Sequence, residues 1–190
     1  QLNTPTQTGI KANADRASSN NQLAQTVSIQ ENALIDTSAT QAGNGGAIAI
    51  WSQVKTSVAG ILKSMGGLIS GNGGFIETSS KGSVTLAPVA SINTSANNAT
   101  GKAGTWLLDP VDLIIDASTA NIISTALFNG NVSIAVTATT TACSLGGCVV
   151  NGTGSMTVDS GAHILKAGTN YTTLTLSAAG NFVLNGSIEG

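Results

Sequence analysis

The chain has 190 residues, enough for one domain with a continuous core; 8% are charged, 41% are hydrophobic, and the net charge is −2. That balance excludes a disordered chain, which combines low hydrophobicity with high net charge. The seven basic residues are scattered singly, which excludes the basic stripe of a nucleic-acid binder. No apolar run approaches the ~20 residues of a membrane-crossing helix. With so little Lys and Glu there are few good formers for an exposed helical surface, whereas the Thr, Val and Ile content suits strands.

In chain order, residues 1–25 are polar and patternless and read as an irregular lead-in. From residue 26 a repeat begins. Gly43-Asn44-Gly45-Gly46-Ala47-Ile48-Ala49-Ile50-Trp51 returns as Gly71-Asn72-Gly73-Gly74-Phe75-Ile76-Glu77-Thr78-Ser79. A weaker copy follows at Gly101-Lys102-Ala103-Gly104-Thr105-Trp106-Leu107-Leu108-Asp109, so the offsets are 28 and then 30 residues. Each Gly-rich turn leads into a strand of period 2, which stacks Ile48, Ile76 and Trp106 in one inward column and Ile50, Thr78 and Leu108 in another. On the same count Trp51 and Phe75 face outward.

Shorter strands are predicted at Val58 to Leu62, Ser83 to Leu86 and Leu113 to Ile115, and a short helical turn at Asn121 to Phe128. Beyond it, Val132 to Val136, Met156 to Val158, Leu174 to Leu176 and Phe182 to Leu184 alternate as strands between Asn/Gly turn signals. Two or three short strands per repeat, joined by Gly/Asn/Ser corners, is the plan of a β-helix coil. A flat sandwich would alternate as well but gives no reason for a recurrent Gly-Asn-Gly-Gly corner. The expected fold is therefore all-β, a parallel β-helix of 6–7 coils over residues 26–190. At the ~4.8 Å strand spacing that is a rod roughly 30–35 Å long.

The run Gly71 to Ser79, then Gly101-Lys102-Ala103-Gly104-Thr105-Trp106-Leu107-Leu108-Asp109-Pro110, then Asp112-Leu113, resembles exoproteins of two-partner secretion systems. These are the filamentous-haemagglutinin-like and high-molecular-weight adhesins of Gram-negative bacteria. The likeness covers roughly residues 26 to 190, and its most specific piece is the Gly-Thr-Trp-Leu-Leu-Asp-Pro run. It implies a right-handed β-helix, export by an outer-membrane two-partner transporter, a place on the bacterial outer surface or in the medium, and contact with a glycan or protein of a host or bacterial cell. The Asn-Pro-Asn-Gly type of motif of the family's secretion domain is missing, so transporter recognition is expected through a secretion domain outside this segment. The start at Gln1-Leu2-Asn3 and the end at Ser187 to Gly190 suggest an excised or mature portion. End-to-end self-association through open strand edges is a further expectation. Secretion would also favour a disulfide between Cys143 and Cys148, with a free thiol pair as the alternative.

Enzyme chemistry finds little support. β-helical lyases need clustered carboxylates with an Arg or Lys base, and the sole arginine, Arg16, lies in the lead-in. The densest acidic group is Asp109, Asp112 and Asp116, where a calcium ion could steady a corner. Asp109 precedes Pro110, where a turn is the ordinary explanation. His163, the single histidine, stands four residues from Asp159 in a region that reads as strand, so a polar position on a strand face explains it. Glu77 and Asp109 cannot be placed across a common substrate from sequence alone. Six Asn-x-Ser/Thr sequons begin at Asn93, Asn98, Asn131, Asn151, Asn170 and Asn185 and carry no site assignment. The expectation is a structural and adhesive segment without catalysis or cofactor, in which Trp51 and Phe75 are the candidate surface-binding residues.

Overall fold

The structure, a computed structural model, describes residues 24–142, 149–169 and 171–190. The first coil contributes β1 (Thr26–Ile29) and β2 (Leu34–Asp36). Two regular three-strand coils follow: β3 (Ala47–Ser52), β4 (Lys55–Val58) and β5 (Ile61–Lys63), then β6 (Phe75–Ser80), β7 (Ser83–Leu86) and β8 (Ser91–Asn93). The next coil has β9 (Thr105–Asp109) and β10 (Leu113–Ile115), then helix α1 (Ala117–Asn129) in place of a third strand. After it come β11 (Asn131–Val136), a hairpin of β12 (Thr139–Ala142) and β13 (Val149–Gly152), then β14 (Met156–Val158) and β15 (His163–Leu165). A last coil comprises β16 (Leu174–Ala178), β17 (Phe182–Leu184) and β18 (Ser187–Glu189). Together they make a parallel β-solenoid of about six turns, as the repeat requires.

Parallel strands in register build each face. The first face is one five-stranded sheet in the order β3-β6-β9-β11-β16. Its pairings set Ile48 beside Ile76, Ile76 beside Trp106, Trp106 beside Val132 and Val132 beside Leu174. A second column runs Ile50, Thr78, Leu108, Ile134, Leu176. Both expected columns are therefore present and extend two coils further. Their members from Ile48 to Ile134 are buried, Trp106, Ile76 and Leu108 almost completely. The second face carries β1-β4-β7 and β10-β14-β17, and the third carries β2-β5-β8 and β15-β18.

The interior is apolar, with hydroxyl side chains buried at its corners. Trp106 Nε1 donates to Thr78 Oγ1 at 2.9 Å, so the one polar atom of the indole is satisfied by the residue one coil below. At the turn from first to second face, Ser52 Oγ lies 2.8 Å from Thr56 Oγ1 and donates to Ser80 Oγ at 3.0 Å. Thr56 Oγ1 donates to the Ser79 carbonyl at 2.8 Å. All four residues are buried, and each hydroxyl has a partner, as burial demands.

Three elements depart from the sequence expectation. The strand expected over Val58 to Leu62 is two strands, because the chain turns at Ala59-Gly60, where Ala59 N donates to Ile29 O and Ile61 N to Ala33 O. The short turn expected at Asn121 to Phe128 is a helix of 13 residues. Asp116 caps it, accepting from Thr119 N at 2.7 Å, and Gly130 N closes it on Ala126 O. Ala120, Ile123, Ala126 and Leu127 recur at helical spacing and are buried against the core. A helix is about 10 Å across, twice the strand spacing, so the third sheet cannot run through it and resumes at β15. It packs instead between β8 and β15. The hairpin, antiparallel from Thr139 opposite Gly152 to Ala142 opposite Val149, is the third departure. It lengthens its coil to an offset of 42 residues, from Val132 to Leu174.

Coil corners bring backbone against backbone. Gly71 has a φ of +118°, and a Cβ there would stand 1.8 Å from Gly43 O. Gly161 offers open space to a Cβ. Gly71→Ala is therefore expected to lower stability by about 3 kcal/mol or more, while Gly161→Ala stays within about 0.5 kcal/mol of the parent. Urea unfolding followed by far-ultraviolet circular dichroism checks both, and equal midpoints would contradict the packing of this corner.

Candidate functional site

The two aromatic residues singled out for surface binding point outward, as the alternation requires, and both are half-buried. They do not form one patch. Trp51 pairs with Ser79 near the end of the first sheet, whereas Phe75 pairs with Ala47 at its start. Four residues of strand separate the two positions, about 13 Å. The Lys81 ammonium sits 5.5 Å from the centroid of the Trp51 ring, so one ring face already has a cationic partner.

Between them lies a feature that alternation did not reveal. Glu77, Ser79 and Leu107 are on the outward phase of β6 and β9, yet all three are buried. Glu77 Oε1 accepts from Ser79 Oγ at 2.8 Å. Asp109 pairs with Ser79, which sets it diagonally beside Glu77 on the same face. The two carboxylates weighed as a hydrolytic pair are therefore neighbours, but the complete burial of Glu77 keeps substrate from it. Burial pushes the Asp109 carboxyl up to about 6.

The three aspartates expected as a possible calcium corner serve separate ends. Asp112 Oδ1 accepts from Ser155 N at 2.7 Å and from Thr153 N and Thr153 Oγ1, each at 3.0 Å, which ties β10 to the start of β14. Burial alone would raise its carboxyl, but these bonds outweigh it and hold the group below its ordinary value. Asp116 is spent on the helix cap, and the Thr119 amide lowers its carboxyl in turn. Among the described residues no group of three or more His, Cys, Asp or Glu side chains converges on a metal position. Cys143 and Cys148 lie outside the described residues.

His163 is exposed on β15. Its Nδ1 lies 2.8 Å from Ser187 Oγ, and Ser187 Oγ donates to Glu189 Oε1 at 2.9 Å. The serine's single proton goes to the carboxylate, so the imidazole donates to the hydroxyl. A nucleophile–base pair needs the reverse, with the imidazole taking the serine proton. This row bridges the last two coils.

Sequence reading missed a concavity. It lies at the corner between third and first faces, has a volume of about 790 Å³, and its lining includes Asn97 and Lys102 on one side, Asn129 and Asn131 on the floor, and Tyr171 and Thr172 on the other side. Tyr171 stands fully exposed in its wall. Two sequon asparagines there are consumed by the fold. Asn98 Nδ2 donates to the carbonyls of Gly71, Ala96 and Gly67 at 2.7, 2.8 and 3.0 Å. Asn131 Nδ2 donates to Gly104 O at 3.1 Å, and its Oδ1 accepts from Thr173 N at 2.9 Å.

Over the described residues the fold is a parallel β-solenoid with one inserted helix and one inserted hairpin. Comparison with protein-family models, with curated proteins and with solved structures gives no match.

Asp109 yields a pH prediction. Its folded pKa of about 6 exceeds the ordinary 3.8, so between those values the unfolded chain ionises first. Stability is then full below pH ~4, falls as pH rises through 6, and is level above, by on the order of 2–3 kcal/mol. Asp109→Asn is expected to raise the urea midpoint at pH 8 relative to the parent and to change it little at pH 4. A variant equally shifted at both values would mean that ionisation of this carboxyl plays no part.

Proposed function

We propose that this chain is a shaft segment of a secreted bacterial surface adhesin of the filamentous-haemagglutinin type, supporting attachment to host or neighbouring cells. The observation that carries the reading is the unbroken first face, five parallel strands in register with two continuous columns of side chains. Coils that pair only with their neighbours extend in one dimension, which is what a rod holding binding regions away from a surface requires. The Gly-Thr-Trp-Leu-Leu-Asp-Pro run spans β9, at the centre of that sheet, with one residue to either side and with Trp106 and Leu108 in the core. Its likeness to two-partner secretion exoproteins thus concerns residues that build the shaft.

Export tests the secreted reading. Placed behind a two-partner secretion domain and coexpressed with its transporter, the chain is expected to reach the cell exterior folded, accessible to antibody on intact cells and resistant to added protease. Retention in the periplasm, or surface arrival in a protease-sensitive form, would overturn it.

A further inference from the structure

The corners between third and first faces differ in length from coil to coil. Ahead of β9 the chain spends residues 94–104 on the corner, and ahead of β16 it spends 166–173. Ahead of β11 the helix ends at Asn129 and the strand starts at Asn131, with Gly130 alone between. A short corner between two long ones leaves a groove across the stack, and this is the 790 Å³ concavity with Tyr171 in its wall. A cleft of this volume lies within the ~300–1,000 Å³ range of small-ligand sites.

Both walls are held by the fold. Asn98 fastens the first through its three donated bonds and also accepts from Gly101 N at 2.7 Å. Thr172 Oγ1 fastens the second by donating to Leu127 O at 2.6 Å. A groove built on such bonds needs little ordering when a ligand arrives. The fold leaves Asn97, Lys102 and Thr169 to solvent along it. Asn129 Nδ2 donates to Thr125 O at 3.0 Å, so its carbonyl oxygen is left to accept. Tyr171 presents a whole aromatic ring that the core does not use, and an unburied ring of this kind is informative where an isolated aliphatic is not.

We propose that this groove binds a short oligosaccharide, with Tyr171 stacking on the C–H face of a sugar ring. Asn97, Asn129, Lys102 and Thr169 meet its hydroxyls. The chemistry favours a sugar over its rivals. A peptide would look for a strand edge or deep apolar pockets. Yet β11, at the floor, is already paired on both sides by β9 and β16, and the apolar lining besides Tyr171 is alanine. A nucleic acid would look for several cations, and Lys102 is the one charged residue among those lining the groove. Amides, hydroxyls and one exposed ring match a ligand that is itself hydroxyl-rich with apolar ring faces. The proposal stands independently of the shaft reading, since a rod without this site would still be a rod.

The test uses the whole chain against an immobilised panel of neutral hexose, N-acetylhexosamine and hexuronate oligomers of about three to six units, beside a panel of short peptides. Tyr171 is the single tyrosine, so fluorotyrosine labelling places one ¹⁹F resonance at the groove. At least one oligosaccharide class is expected to be retained and to shift that resonance. Tyr171→Ala should weaken retention about tenfold or more, Lys102→Ala by less, and Trp51→Ala not at all, with the β-sheet circular dichroism of all three unchanged. No retained sugar, retention that survives Tyr171→Ala, or a resonance moved by peptides alone would overturn the proposal.

Discussion

Stacking at one strand spacing is the constraint on which everything else in this molecule depends. Each coil must follow the last at ~4.8 Å along the axis, on every face and through every corner. On the faces backbone hydrogen bonds meet the requirement. At the corners the chains pass each other with no room for a side chain: a Cβ at Gly73 would stand 1.9 Å from Thr94 O and 2.4 Å from Gly104 N. Between these contacts asparagine extends the ladder where the strands have ended. Asn44 Oδ1 accepts from Asn72 N and Asn72 Oδ1 from Lys102 N, both at 2.8 Å. The Gly-Asn-Gly-Gly signature is thus a statement about close approach and side-chain continuation of the ladder together.

From that constraint follows the cost of any departure from it. The helix occupies two strand spacings on the third face, and the same stretch of the rod is where β7 and β10 belong to separate sheets on the second. Val111 N still donates to Gly82 O there, so one corner bond crosses the break. The first face alone carries a sheet through all the coils that have a strand on it, from β3 to β16. Its columns hold the largest buried side chain, Trp106 over Ile76, with Leu108 over Thr78 beside it. Continuity on one face allows the other two to accept insertions.

This division explains what could be read from the sequence. The columns from Ile48 to Leu108 were legible because two nearly identical corners fix the register, and alternation then assigns every side chain to a face. Of the helix only a short turn at Asn121 to Phe128 was legible, because its exposed positions are Ala117, Asn121, Thr125 and Phe128 rather than Lys or Glu, and its buried ones are shared with strand vocabulary. Alternation states the phase of a residue but not whether something covers it. For that reason Glu77, Ser79 and Leu107 read as surface and are buried. Trp51 and Phe75 were singled out because they were aromatic and on the outward phase; both do face outward, with the Lys81 ammonium 5.5 Å from the centroid of the Trp51 ring. Tyr171 lay in a polar stretch without periodicity, where alternation assigns no face.

Corner length, rather than face composition, is therefore the variable through which a solenoid of this kind acquires local shape. A face residue is fixed twice, by the strand below and the strand above, and a change there propagates along a column. A corner residue past the glycine contacts has no such obligation, and its loop can lengthen at the slowly rising entropic cost of closure. The two long corners at 94–104 and 166–173 flank the shortest one in the rod's helical coil, and the concavity arises from that sequence of lengths before any side chain is considered. Chemistry on such a molecule belongs where the fold leaves freedom. Asn98 and Asn131 show the division within a single groove: the same residue type as Asn97, but bound to backbone on neighbouring coils and so part of the scaffold.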